Sequence, residues 1–319
     1  MQATEYKERL HEALRDFLWD QWVALGQAGH ASGRPVPFMV DPEALLLGTL
    51  RFAMDEGRFR SEVPDWLSKN GGLVSVQRIK NLDLATRIAP PQGLRALSEF
   101  MQKAGHRNWK TVATRVSAGA AEADGFPETG GRGLSMPPDL ARPEAFLLRL
   151  RMVFGMSARA EVVTWLLTHS GGHAAGIARE TGWFSKSVQA ILNDLEQAGM
   201  LVSRTEGKRK EYTLRPRAGL WHPELGAGLR WFAQGMFCVG LHHVLRALEA
   251  AADPKLSAAA RAIAIRRDLV PLETAFRLAG LDEIYGGAHR ELGESLVRRF
   301  AEGTSALIRI LETRECLGS

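Results

Sequence analysis

The sequence predicts a mainly α-helical chain carrying one small β-hairpin. Three observations predict it. Apolar residues recur at helical spacing through most of the chain. Strand-like alternation is confined to one stretch, "LVSRTEGKRKEYTL" at 201–214. A Gly-, Ala- and Pro-rich stretch without apolar period separates the first helices from the rest.

The first helix is expected over residues 5–25, with Tyr6, Leu10, Leu14, Phe17, Leu18 and Leu25 on its apolar face. After "GQAGHASGRPVPFMVDP" breaks the pattern, Asp41-Pro42 opens a second helix, Asp as cap and Pro at the first position. A third helix is expected around "EVPDWLSKNGG" and a fourth from Ser75. The expected division is a helical N-terminal domain (1–104), a flexible linker (105–143), a compact block (144–217) and a helical C-terminal region (218–319).

At 319 residues the chain is long enough for two or three domains. Its 45% hydrophobic and 24% charged content is ordinary for a soluble globular protein. A net charge of +5 and a pI near 9.4 lean mildly towards a polyanionic partner. Cys238 and Cys316 form no CxxC pair and no metal-ligand spacing, which fits a reducing cytosol. The N-terminus carries charges throughout, unlike a signal peptide, and no run reaches the roughly 18 apolar residues of a membrane span. A soluble cytoplasmic protein without membrane partners is expected.

Residues 157–215 carry the most information. In "SARAEVVTWLLTHSGGH", Val162, Val163, Leu166 and Leu167 form an inward stripe that Gly171-Gly172 should end. "HAAGIARETG" follows, with Ala174, Ile177 and Ala178 on one face. In "SKSVQAILNDLEQAGML", Ser185 is the expected N-cap, and Val188, Ile191, Leu192 and Leu195 are spaced to bury. Lys186, Ser187, Gln189, Ala190 and Asn193 project from the remaining arc, which lacks the Glu/Lys mixture of an ordinary solvated helix. The hairpin reverses at Glu206-Gly207. Arg204, Lys208, Arg209, Lys210, Arg215 and Arg217 outnumber Glu206 and Glu211 there.

Helix, helix, turn, helix and basic hairpin resemble the winged helix-turn-helix of bacterial transcription regulators of the ArsR/MarR/GntR-like kind. The resemblance rests on "IARETGWFSKSVQAILNDLEQAGMLVSRTEGKRKEYTL" and covers about a fifth of the chain. It implies that the third helix enters the major groove of double-stranded DNA. Ser185, Lys186, Ser187, Gln189 and Asn193 would then read bases or bind phosphate at the helix start. Gln189 and Asn193 are suited to bidentate reading of adenine, and Arg204, Lys208, Arg209 and Lys210 would anchor the backbone. The expected function is a sequence-specific transcriptional regulator. By analogy it is a homodimer paired through its C-terminal helices. The alternative is a protein-docking or antitoxin-like adaptor without specific DNA binding.

Upstream, "EVPDWL" echoes "EVVTWL", and "SVQRIKN" echoes "SVQAILN". Either Gln77, Arg78, Lys80 and Asn81 belong to a second, degenerate DNA-binding lobe, or two amphipathic helices match by chance. Trp221, Trp231, Phe232 and Phe237 either pack in a core or line a pocket for a small-molecule effector. His242-His243, His222 and His289 lack metal-ligand spacing, and "GGRG" at 130–133 lacks the Lys-Ser/Thr of a phosphate loop. No nucleophile turn or paired-carboxylate motif is present, so neither an enzyme nor a cofactor is expected.

Overall fold

The computed structural model describes residues 3–113, 132–207, 209–215, 228–315 and 317. It is mainly helical with a small antiparallel sheet. The first helices are α1 (Ala3–Ala24), α2 (Pro42–Phe52), α3 (Gly57–Asn70), α4 (Val76–Thr86), α5 (Pro91–Lys103) and α6 (Lys110–Ala113). Next come α7 (Phe146–Phe154), α8 (Ala158–Thr168), α9 (Ala174–Thr181) and α10 (Ser185–Gln197). The hairpin is β1 (Leu201–Glu206) and β2 (Arg209–Leu214). α11 (Gln234–Ala252), α12 (Ala258–Leu278) and α13 (Gly293–Thr313) complete the chain. Among the described residues, no helix is long and apolar enough to cross a membrane.

Local chemistry sets several boundaries as expected. The Asp41 side chain accepts from Ala44 N at 3.0 Å, with Pro42 at the first turn of α2. Ser75 caps α4 by accepting from Arg78 N at 3.3 Å.

The buried apolar residues form two clusters. One joins residues from Leu10 to Val112 with Ala145, Leu148 and residues from Phe232 to Leu317. The first and last thirds of the chain therefore share one core, in which α1 packs against α2, α11 and α13. Trp19, Trp22, Trp66 and Trp109 lie in this core. Trp22 and Trp66 meet edge-on at 5.2 Å, their ring N–H groups donating to Thr49 Oγ1 and to the Leu25 carbonyl. The second cluster is built from α7 to α10 and the hairpin, with Met39 added. Of the expected linker, residues 114–131 lie outside the described residues, and its described ends are anchored. Trp109 is buried, Ser135 N donates to Asp65 at 2.9 Å, and Met136 N donates to the Gly26 carbonyl at 2.8 Å.

A buried ionic network joins the two clusters. Arg78 grips Asp41 with both terminal nitrogens at 2.5 Å and reaches Glu43 at 2.6 Å. Arg151 of α7 holds Glu43 at 2.7 and 2.8 Å and Glu161 of α8 at 2.7 and 3.0 Å. Ser75 N also donates to Glu43 at 2.6 Å, and Arg151 donates to the Leu73 carbonyl at 2.8 Å. Burial by itself would lower the pKa of both arginines, but the carboxylates around them outweigh it, so both guanidinium groups stay charged. Burial would raise the Asp41 carboxyl, yet Arg78 holds it below its ordinary value.

Candidate nucleic-acid interface

The candidate interface is built on α8, α9, α10 and the hairpin. Ser157 caps α8, which buries Val162, Val163, Trp165 and Leu166. The helix ends at Thr168, three residues before the glycine pair expected to stop it. Gly171 and Gly172 do something else. Gly172 bridges Tyr212 of β2, its N donating to the Tyr212 carbonyl at 3.0 Å and its carbonyl accepting from Tyr212 N at 2.8 Å. A Cβ on Gly172 would lie 2.5 Å from the Trp165 ring, so this close approach requires glycine.

α9 ends at Gly182, whose φ of +73° suits a left-handed C-terminal cap, and its N–H returns to the Ala178 carbonyl. A Cβ there would lie 2.6 Å from Leu82 Cδ2 of α4, so the same glycine also lets the turn dock on the first core. α10 then starts one residue earlier than its expected cap implies. Phe184 is the N-cap, with no side-chain bond, and Ser185 is the first helical residue. Val188, Leu192 and Leu195 are buried, while Ile191 is half-buried. Ser185, Lys186, Ser187, Ala190 and Asn193 are exposed and Gln189 is half-buried.

The hairpin register pairs Ser203 with Tyr212, Arg204 with Glu211, Thr205 with Lys210 and Glu206 with Arg209. Because side chains alternate along a strand, Ser203, Lys210 and Tyr212 share the face that meets α10. Arg204 and Arg209, with Val202, occupy the outer face and are exposed. Lys210 reaches Glu196 of α10 at 2.6 Å and sits 5.0 Å over the Tyr212 ring, while Ser203 donates to the same carboxylate. The Lys210 bond, followed by that from Ser203, holds the Glu196 carboxyl below its ordinary value. Lys210 thus pairs with Glu196 from the inner face, and Arg204 and Arg209 lie on the exposed outer face. Lys208 lies outside the described residues, as do Arg217, Trp221, His222 and Cys316.

The two amides expected to read bases are joined to the hairpin. Gln189 Nε2 donates to Asn193 Oδ1 at 2.9 Å and to Tyr212 Oη at 2.6 Å, and Tyr212 Oη donates to Asn193 Oδ1 at 3.1 Å. Tyr212 is itself fully buried. Sequence reasoning missed its role. The alternation marks Tyr212 as an inward residue, but only the packed hairpin places its hydroxyl between two amides.

The upstream echo has a structural counterpart without the same surface. Gln77 Nε2 donates to Asn81 Oδ1 at 2.8 Å, as Gln189 does to Asn193. Arg78, however, is 0% exposed within the ionic network, and Asn81 is buried. Of the two readings open for the echo, a second DNA-binding lobe would therefore lack Arg78 and Asn81, which are buried. Gln77 stays exposed in α4, but the counterparts of Ala190 and Asn193, Arg78 and Asn81, are covered.

Of the two readings open for the aromatic residues, core packing holds for Phe232 and Phe237. Phe232 and Phe237 are buried in the first core, their rings 5.1 Å apart and both against Phe17. Trp231 packs against the second core. His242 accepts from Arg51 Nε at 3.2 Å and His243 pairs with Asp268 at 2.7 Å. Among the described residues, no group of three or more His, Cys, Asp or Glu side chains is arranged to hold a metal ion. Burial pushes the Cys238 thiol up to about 12, so it is a packing group rather than a nucleophile. Comparison with protein-family models, with curated proteins and with solved structures finds no match.

Proposed function

We propose that the protein is a sequence-specific DNA-binding transcriptional regulator, in which α8 to α10 and the hairpin act as a winged helix-turn-helix. The observation that carries this reading is the open face of α10. It presents Lys186, Ser187, Gln189 and Asn193 beside a hairpin whose outer face carries Arg204 and Arg209. Short polar side chains on a protruding helix suit base edges in the major groove, and exposed arginines on an adjacent hairpin suit phosphates. A homodimer on two half-sites belongs to the same proposal. The test is selection from a random duplex library at two salt concentrations. An enriched motif with salt-sensitive binding supports the proposal, and no binding at low salt sinks it.

A second function has its own observation. Phe184, at the N-cap of α10, is 53% exposed, and Val202 on the outer face of the hairpin is 43% exposed. Apolar side chains beside the polar arc favour an adaptor that docks a protein partner. Binding that persists as salt rises would favour the adaptor, because DNA affinity through several phosphates falls steeply with salt.

A further inference from the structure

The contacts of Tyr212 specify which amide atoms of α10 remain available, and this deepens the DNA-binding reading on which it rests. The Gln189 amide nitrogen has two hydrogens, and both are used, one on Asn193 Oδ1 and one on Tyr212 Oη. The Asn193 carbonyl oxygen has two acceptor positions, and both are used, one by Gln189 Nε2 and one by the Tyr212 hydroxyl. The three groups close a ring. Among the described residues, Gln189 Oε1 and Asn193 Nδ2 have no partner inside the protein.

Neither amide can then perform the bidentate reading of adenine expected of it. That contact needs a donor and an acceptor on one side chain. Gln189 offers only an acceptor and Asn193 only a donor. Rotating one amide alone would set like groups against each other in the ring, while rotating both together reverses every bond and keeps the ring closed, so Tyr212 ties the two amides to opposite polarity. The anchor is rigid. Tyr212 is fully buried, its backbone is bridged to Gly172 on one side, and Lys210, held by Glu196, lies over its ring.

We infer that Tyr212 is the positioning residue that sets base specificity, tying the two amides of α10 to opposite polarity so that one accepts from an exocyclic amine and the other donates to an acceptor edge; in the arrangement present Gln189 Oε1 is the acceptor and Asn193 Nδ2 the donor. In the major groove the amine belongs to adenine N6 or cytosine N4. The acceptor belongs to guanine O6 or N7, adenine N7 or thymine O4. Tyr212 touches no DNA in this arrangement, so it governs which sequence is bound and leaves the phosphate contacts alone.

The experiment is the same duplex selection, at two salt concentrations, on the wild-type protein, Tyr212→Phe and Asn193→Asp. Phenylalanine keeps the buried ring and removes only the hydroxyl. Tyr212→Phe should keep the wild-type salt slope and affinity for non-specific duplex, while discrimination at the positions read by the amides falls at least about fivefold. Asn193 is exposed, so Asn193→Asp tests the same arrangement even if Tyr212→Phe fails to fold. It keeps the ring acceptor and turns the outward donor into an acceptor. Preference at its position should move from an acceptor edge to an amine-bearing base such as cytosine. A wild-type motif returned unchanged by either folded variant overturns the role of Tyr212 and leaves the DNA reading standing. A wild-type protein that enriches no motif overturns both.

Discussion

Arg78 Nε donates to the backbone carbonyl of Thr181 at 2.7 Å, across 103 residues of sequence. Thr181 is the last residue of α9, and Gly182, the next residue, rests on Leu82. The turn that launches α10 is therefore held against α4 from two sides, by a buried guanidinium and by a glycine contact. The orientation of the candidate interface depends on the first core as much as on its own.

Removing Arg78 tests the first of these holds. Arg78→Ala leaves Asp41 and Glu43 buried without their main cation, which costs about 3–5 kcal/mol. Arg78→Lys should recover little, because one ammonium cannot match a fork that serves two carboxylates and a carbonyl at once. Urea denaturation midpoints measure both. A midpoint unchanged by Arg78→Ala would show that the network contributes nothing to stability.

A glycine pair separates backbone strain from docking. Gly182 and Gly199 share a φ of +73°, but a Cβ meets Leu82 at 2.6 Å only at Gly182, and open space at Gly199. Gly199→Ala should lose about 1 kcal/mol, the left-handed cost for an L residue. Gly182→Ala should lose about 1–2 kcal/mol more through the clash. Equal losses in chemical denaturation would mean that α4 yields freely and that the contact does not position α10.

His242 gives a pH signature. Burial, followed by the charge of Arg51, lowers its pKa from the ordinary 6.5 to about 4. The folded state thus favours neutral imidazole, which accepts from Arg51 Nε. A lowered folded-state pKa means stability fully present above 6.5 and lost as pH falls from 6.5 to about 4. The loss should be about 1–2 kcal/mol, discounted for partial exposure. His242→Gln should flatten the slope of unfolding free energy against pH in that window. An unchanged slope would assign it to other groups.

The hairpin cations should divide by face. Arg209→Gln should weaken binding to all duplexes and reduce the salt slope by about one. Lys210→Gln should change the slope less, because Lys210 already pairs with Glu196 at 2.6 Å. Fluorescence anisotropy across a salt series reads both, and equal slope changes would show that Lys210 leaves Glu196 to meet DNA.

Features repeating within one element were legible in the sequence. The period of Val188, Leu192 and Leu195 located α10, Asp41-Pro42 located the start of α2, and the alternation around Glu206-Gly207 located the hairpin. Each depends on residues a few positions apart, where spacing alone sets the geometry. The outcome differed wherever a distant partner decided. Lys210 and Arg209 are neighbours in a basic run, yet strand alternation turns one towards Glu196 and the other outward. Arg78 reads as a candidate DNA contact or as part of a chance helical match, but Asp41, Glu43 and Thr181 enclose it. Gln189 and Asn193 have the right spacing to bond each other in any helix. Which of their atoms remain outward depends on a hydroxyl about twenty residues further along the chain, because hydrogen-bond saturation belongs to the packed group and not to the side chain alone. Sequence by itself determined the helices, the hairpin and the polar arc of α10. Tertiary structure alone decided which cations and which amide atoms that arc and hairpin leave to a partner, since burial and pairing arise only when elements distant in sequence pack together.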